Sequence, residues 1–150
     1  MVAGGPPDPR VRPIGGDLRA VVDAYDAAHF PVPRPRFLDA WLDPALRTCL
    51  AYVEGGAVRG YGVIRPSREG RKIGPLFADD ERVAESLFQA LALSGEGPIF
   101  LDPPEPNAAA RRLAERHGLK PVFETARMYL GPAPALPLSR IFGITTFELG

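Results

Sequence analysis

The residues in this 150-residue chain that could do chemistry are few and scattered. His29 lies in the proline-rich stretch HFPVPRPRF and His117 closes a helix-like run, where an imidazolium is favourable on dipole grounds alone. Neither stands at a metal-ligand spacing, and no G-x-S-x-G, H-E-x-x-H or phosphate-loop segment occurs, so no metal is expected. Cys49 is the sole cysteine; within LRTCLAYV it reads as a small buried hydrophobe rather than a nucleophile. Asp102 and Glu124, with Arg127 nearby, offer carboxylates that an ion pair would neutralise. Tyr52, Tyr61 and Tyr129 fall in strand-like runs, where a tyrosine either fills a half-buried sheet position or presents a proton. The densest cluster of signals is LDPPEPNAAARRLAERHGLKPV, residues 101–122. An apolar run ends there in a proline corner, Asn107 opens an amphipathic helix, and Gly118 stops it. Asn107 can cap that helix, or it can also turn its amide toward a ligand; its type satisfies both.

Elements must hold these residues. RVRPI alternates polar and apolar residues as a short first strand does. Asp17 then caps a helix with Leu18, Val21, Val22 and Tyr25 inward and Arg19, Asp23 and Asp26 outward, and RFLDAWLD makes a second short helix burying Phe37, Leu38 and Trp41. Two β-rich runs flank Glu54-Gly55-Gly56, a hairpin turn. RKIGPLFA is a fourth strand that Gly74 and Pro75 should interrupt. A helix opened by Asp79 and Asp80 crosses to PIFLD, the fifth strand, parallel to the fourth. After the Asn107 helix, KPVFETARMYL and IFGITTFELG read as strands six and seven, joined by the proline-laced GPAPALPLSR. The expectation is a mixed, mostly antiparallel α/β (α+β) sheet of seven strands with four helices, in one domain spanning 1–150 with residues 1–8 flexible.

Composition narrows the function. Lys+Arg and Asp+Glu are both 18, so the net charge is zero and nothing points to nucleic acid or an anionic membrane. No apolar run is long enough to cross a bilayer, and a single cysteine suits a reducing, cytoplasmic setting.

The element order resembles the GNAT acyltransferase superfamily over nearly the whole chain. The strongest match is Ile99–Asp102, Asn107, Ala110, Leu113, Gly118 and Leu119, which mirror that family's fifth strand and following helix. IGPLFADD, NAAARRLAERHGLKPVFETARMYLG and FGITTFELG further resemble the C-terminal module of bacterial proteins carrying two such modules. The resemblance implies acetyl-CoA as co-substrate, held between splayed fourth and fifth strands by the backbone of Leu76, Phe77 and Ala78 and the side chain of Asn107. It implies acetyl transfer to a small-molecule or peptide amine, with Glu124 or Tyr129 in catalysis and Asp102 and Arg127 toward the acceptor. Two family features are missing: FADDERVAESL carries no glycine loop for a pyrophosphate, and Ala114 stands where many members have a proton-donating tyrosine. The alternative is therefore a non-catalytic recognition or docking module beside a catalytic GNAT domain. A docking module would leave apolar surface at its end, so dimerisation is expected, with Phe142, Ile144 and Phe147 at the contact.

Overall fold

The computed structural model describes residues 6–149. In chain order the elements are β1 (Val11–Pro13), α1 (Leu18–Ala27), α2 (Pro35–Trp41), β2 (Thr48–Glu54), β3 (Ala57–Ser67), β4 (Gly70–Ala78), α3 (Glu81–Leu93), β5 (Ile99–Leu101), α4 (Ala108–Arg116) and β6 (Ile141–Gly143).

Glycine sets the first pairing. Gly55 and Gly56 take φ of 60° and 75°, the doubly left-handed turn that matches the twist of a two-residue hairpin. β2 and β3 accordingly pair antiparallel from Thr48↔Ile64 to Glu54↔Ala57. β1 adds to the far side of β2, β4 returns along β3, and α3 carries the chain over to β5, parallel to β4. β6 pairs antiparallel with the far half of β4. The helices cover both faces. On one, α3 and α4 bury Leu87, Phe88, Leu91 and Leu113 against Ile73, Leu76 and Phe142; on the other, α1 and α2 bury Val22 and Leu38 against Tyr61, Val63, Phe77 and Ile141. Neighbours Leu76/Phe77 and Ile141/Phe142 thus split between the two cores, as strand alternation requires.

The expected fold class stands, with the parallel pair where it was read. The strand count is six rather than seven among the described residues. KPVFETARMYL forms no strand, and residues 121–130 are exposed throughout. A tight hairpin to the last strand is blocked by Pro132, Pro134 and Pro137, which restrict the connector and donate no backbone hydrogen bonds. The last strand keeps three residues and joins β4 instead. Asp26 is a second correction: it faces inward and is fully buried. It lies one turn beyond buried Val22 on the inward stripe, and Arg34 and Tyr61 supply the partners that let a carboxylate remain there. Of the expected flexible N-terminus, residues 1–5 lie outside the described range, while Asp8 is tied to Arg10 and Ser86.

Candidate functional site

β4 and β5 pair only at Arg71↔Ile99, Lys72↔Phe100 and Ile73↔Leu101. β4 runs on to Ala78, whereas β5 stops, because Pro103, Pro104 and Pro106 deny it further ladder donors. The two strands therefore diverge and leave one edge of β4 open. The chain fills that opening with its own tail. β6 pairs with β4 at Leu76↔Gly143 and Phe77↔Ile141, and the Ile144 amide donates to the Asp102 carbonyl at 3.1 Å, so the tail bridges β4 and the end of β5. Gly74 admits it: a Cβ there would lie 2.5 Å from the Thr145 carbonyl oxygen and 2.7 Å from that of Ile144.

Asn107 does two jobs for the same arrangement. Its Oδ1 accepts from the Ala110 amide at 3.0 Å and caps α4. Its Nδ2 donates to the carbonyls of Leu138 and Ile141 at 3.0 and 2.8 Å. Cap and ligand-holder were both open from the sequence; the cap is made, and the ligand of the remaining donors is the tail.

A buried polar group grips the tail from the α1–α2 side. Arg34 donates through Nε and Nη2 to the two oxygens of Asp26 at 2.9 and 2.8 Å, and Nη2 also reaches Thr145 Oγ1 at 3.0 Å. The Tyr61 hydroxyl donates to Asp26 as well; burial pushes it well above the ordinary tyrosine range and keeps it protonated. Next to this group His29 stacks between Tyr25 and Phe77, with ring centroids 4.3 and 5.2 Å away. Burial holds its pKa below the usual histidine value, so the neutral ring donates from Nδ1 to the Tyr25 carbonyl at 2.7 Å, and Nε2 is buried with no partner among the described residues.

The other expected site residues separate into two groups. Leu76, Phe77 and Ala78 lie opposite Gly62, Tyr61 and Gly60 of β3, and the first two are also taken by β6. Asp102 forms an ion pair with Lys72 at 2.5 Å rather than with Arg127. Glu124, Arg127 and Tyr129 stand on the exposed stretch, where Arg127 Nη1 donates to the Tyr129 hydroxyl at 3.2 Å. The acids after β4 have structural duties. Asp80 caps α3 through the Val83 amide at 2.9 Å, Asp79 Oδ1 lies 2.9 Å from the Tyr25 hydroxyl, and Glu81 binds Arg112 and Arg116 of α4 at 3.0 and 2.6 Å. Of the expected contact residues, Phe142 is buried in the core, Ile144 is half-buried, and Phe147 is exposed with its ring 5.8 Å from that of Phe123.

An extended thioester arm needs free backbone groups along β4. With the tail seated, the open edge at Leu76 and Phe77 is occupied and the face of Gly74 is covered, so the residues as arranged do not fit such an arm. Among the described residues no group of three or more His, Cys, Asp or Glu could hold a metal, and no helix is long and apolar enough to cross a membrane. The sequence reading missed the Asp26–Arg34–Tyr61–Thr145 group. Its one legible signal was a carboxylate placed one turn after Val22, with an arginine in the loop that follows.

Three comparisons set this geometry among known proteins. The profile of the acetyltransferase (GNAT) domain family matches residues 22–143. The chain is 31% identical over 142 residues to the holothin acyltransferase of Pseudoalteromonas sp. (strain SANK 73390), covering 93% of this chain and 48% of that protein. It superposes with a TM-score of 0.76 and 27% identity on a crystal structure from Pyrococcus horikoshii, provisionally described as an acetyltransferase, covering 93% of this chain and 46% of that one. The chain thus spans about half the length of the relatives it matches. With the family profile covering β2 through β6 and a solved relative sharing the architecture, the chain belongs to the GNAT acetyltransferase family.

Proposed function

We propose that this chain serves N-acyl transfer from acetyl-CoA to a primary amine, and does so as the non-catalytic docking half of an acyltransferase whose thioester is held elsewhere. In the overall reaction the amine nitrogen bonds to the thioester carbonyl carbon, the carbon–sulfur bond breaks, and the thiol leaves with the amine's proton. The family and the name of the Pseudoalteromonas relative support that chemistry for the whole protein. One observation carries the docking role: β6 lies in the opening beside β4, with Phe142 and Ile141 sunk into the two cores. Withdrawing the tail would expose both side chains, each worth about 1.5–3 kcal/mol when buried. The acids at the start of α3 support the same reading, because they stand where a pyrophosphate would approach.

Calorimetric titration of the chain with acetyl-CoA tests this. The expected dissociation constant is no tighter than the high micromolar range, roughly −4 to −5.5 kcal/mol. A low-micromolar constant would overturn the docking role.

A second reading, a self-sufficient transferase, draws on the divergence of β4 and β5, which such a donor slot requires. It predicts amine-dependent thiol release from acetyl-CoA by the isolated chain, with Asn107, Leu76, Phe77 and Ala78 protected on binding.

A further inference from the structure

At the Gly70 end of β4, three cations stand in a row on the sheet face that α1 and α2 cover. Arg65 of β3 and Lys72 of β4 are direct partners in the antiparallel ladder, so their side chains project to one face. Continuing the β2–β3 register one step beyond Thr48↔Ile64 sets Arg47 level with Arg65. Like charges in directly opposed positions destabilise a sheet, so this row is held at a cost.

Aromatic rings seat the three heads. The guanidinium carbons of Arg47 and Arg65 lie 4.7 and 5.4 Å from the centre of the Trp41 ring, and Lys72 Nζ lies 4.5 Å from that of Phe147. A ring face attracts a cation but accepts none of the in-plane N–H bonds of a guanidinium. Those bonds are largely unmade. Arg47 Nη1 donates to the Ala40 carbonyl at 2.9 Å, but its Nε, like that of Arg65, is buried with no acceptor among the described residues. Lys72 has a counter-ion in Asp102 at 2.5 Å, and neither arginine forms an ion pair among the described residues. Glu148 is a second acid within reach, exposed at the end of the tail. Hydrogen bonds from its own amide and from Thr146 keep its carboxyl below the usual range, and Lys72 and Arg65 add to that.

Three cations against Asp102 leave two positive charges uncompensated, which Glu148 offsets only from solvent. A phosphate group carries about −1.5 to −2 at neutral pH and offers the paired oxygens that a guanidinium fork fits. We infer that the Arg47–Arg65–Lys72 row is an anion site that takes a phosphate group, free or on a small monoester. This goes beyond the docking reading and does not depend on it.

Trp41 is the single tryptophan and touches both arginines, so its fluorescence reports the site. Sodium phosphate is titrated into the intact chain at neutral pH, with ionic strength held constant by sodium chloride. A saturable change with a dissociation constant near ~1 mM is expected. Arg47→Gln and Arg65→Gln should each weaken it about fivefold or more, with circular dichroism unchanged. Arg12→Gln, on β1, should leave it as it is. Glu148→Gln should tighten it about twofold, and reads the site even where an arginine variant fails to fold. A signal that rises linearly to about 50 mM, or an Arg65→Gln chain of wild-type affinity, overturns the inference. So does sodium acetate saturating as tightly as phosphate, which would make the row a carboxylate site. O-phosphoethanolamine titrated in parallel separates the two sources: tighter binding than inorganic phosphate assigns the site to a phosphorylated small molecule, and equal or weaker binding to the free ion.

Discussion

Two stretches near the end of the chain have similar composition and opposite fates. Residues 121–130 and residues 141–146 both carry β-branched and aromatic side chains in the proportions of a strand. The first is exposed along its whole length, whereas in the second all but Ile144 are buried. Propensity does not separate them; the available edge does. β4 offers a free edge beyond Ile73 because β5 stops at its prolines, and Gly74 leaves the space a tail needs. The later stretch takes that place, supported by Asn107 and Arg34, and among the described residues no strand edge receives the earlier one.

The comparison breaks most sharply at one aromatic in each stretch. Phe142 is 1% exposed and Phe123 72%. Phe142→Ala is expected to cost about 3–5 kcal/mol of unfolding free energy, the range for a buried phenylalanine. Phe123→Ala, measured at a concentration that keeps the chain monomeric, is expected to stay within about 0.5 kcal/mol of wild type. Urea denaturation of both variants checks this, and equal effects would erase the distinction.

Asn107 separates the tail's support from the helix cap. Asn107→Ala removes the cap and leaves the buried Ile141 carbonyl and the part-buried Leu138 carbonyl short of a donor, about 2–4 kcal/mol together. Asn107→Asp keeps the acceptor for Ala110 but turns a buried carboxylate oxygen against the same two carbonyls, so it is expected to recover none of that loss at neutral pH. Hydrogen exchange sharpens the point: amides of residues 141–146 should exchange faster in both variants, while those of 121–130 should be fast in all three proteins.

Gly74→Ala tests the space rather than the bonds. The new methyl would meet two tail carbonyls at 2.5 and 2.7 Å, and overpacking of this kind costs about 1–3 kcal/mol. The loss should fall on the tail, seen as faster exchange at Ile144 and Thr145, with the β2–β3 hairpin unaffected.

How much of this was legible beforehand follows from the range of each signal. Most local signals read correctly: the Gly55-Gly56 turn, the Asp80 and Asn107 caps and the Gly118 stop at φ 70° each depend on residues within a few positions of one another, although Asp17 makes no side-chain cap, and the parallel return of β5 follows from the helix-length crossover before it. The tail's position depends on Gly74, nearly seventy residues away, and on prolines that shorten a different strand. No window of sequence contains both. Asp26 failed for another reason. Its outward placement followed from its charge, while its position after Val22 placed it inward, and only the partners Arg34 and Tyr61, themselves non-local, let position prevail over charge.

The smallest expected effect is a pH dependence confined to the tail's side of the molecule. His29 is packed against Tyr25 and Phe77, and Asp79, Arg140 and Asp26 are the charges that act on it. Burial is the main influence and lowers its pKa from the ordinary 6.5. Below pH 6.5 the unfolded chain therefore takes up a proton at this residue more readily than the folded one, so stability is full above that pH and falls as the pH drops through the window toward the folded value. At pH 6 the loss from this group is at most about 0.8 kcal/mol. His29→Phe keeps the stacked ring and removes the titration. Denaturation midpoints at pH 7.5 and pH 6 should move apart in wild type by more than in the variant. Hydrogen exchange should accelerate first around Phe77 and the tail, with no change at residues 121–130, whose amides are already open. If wild type and variant lose the same stability between those two pH values, His29 is not the group responsible, and the buried ring is charged no more readily by unfolding than by solvent reaching it in the folded chain.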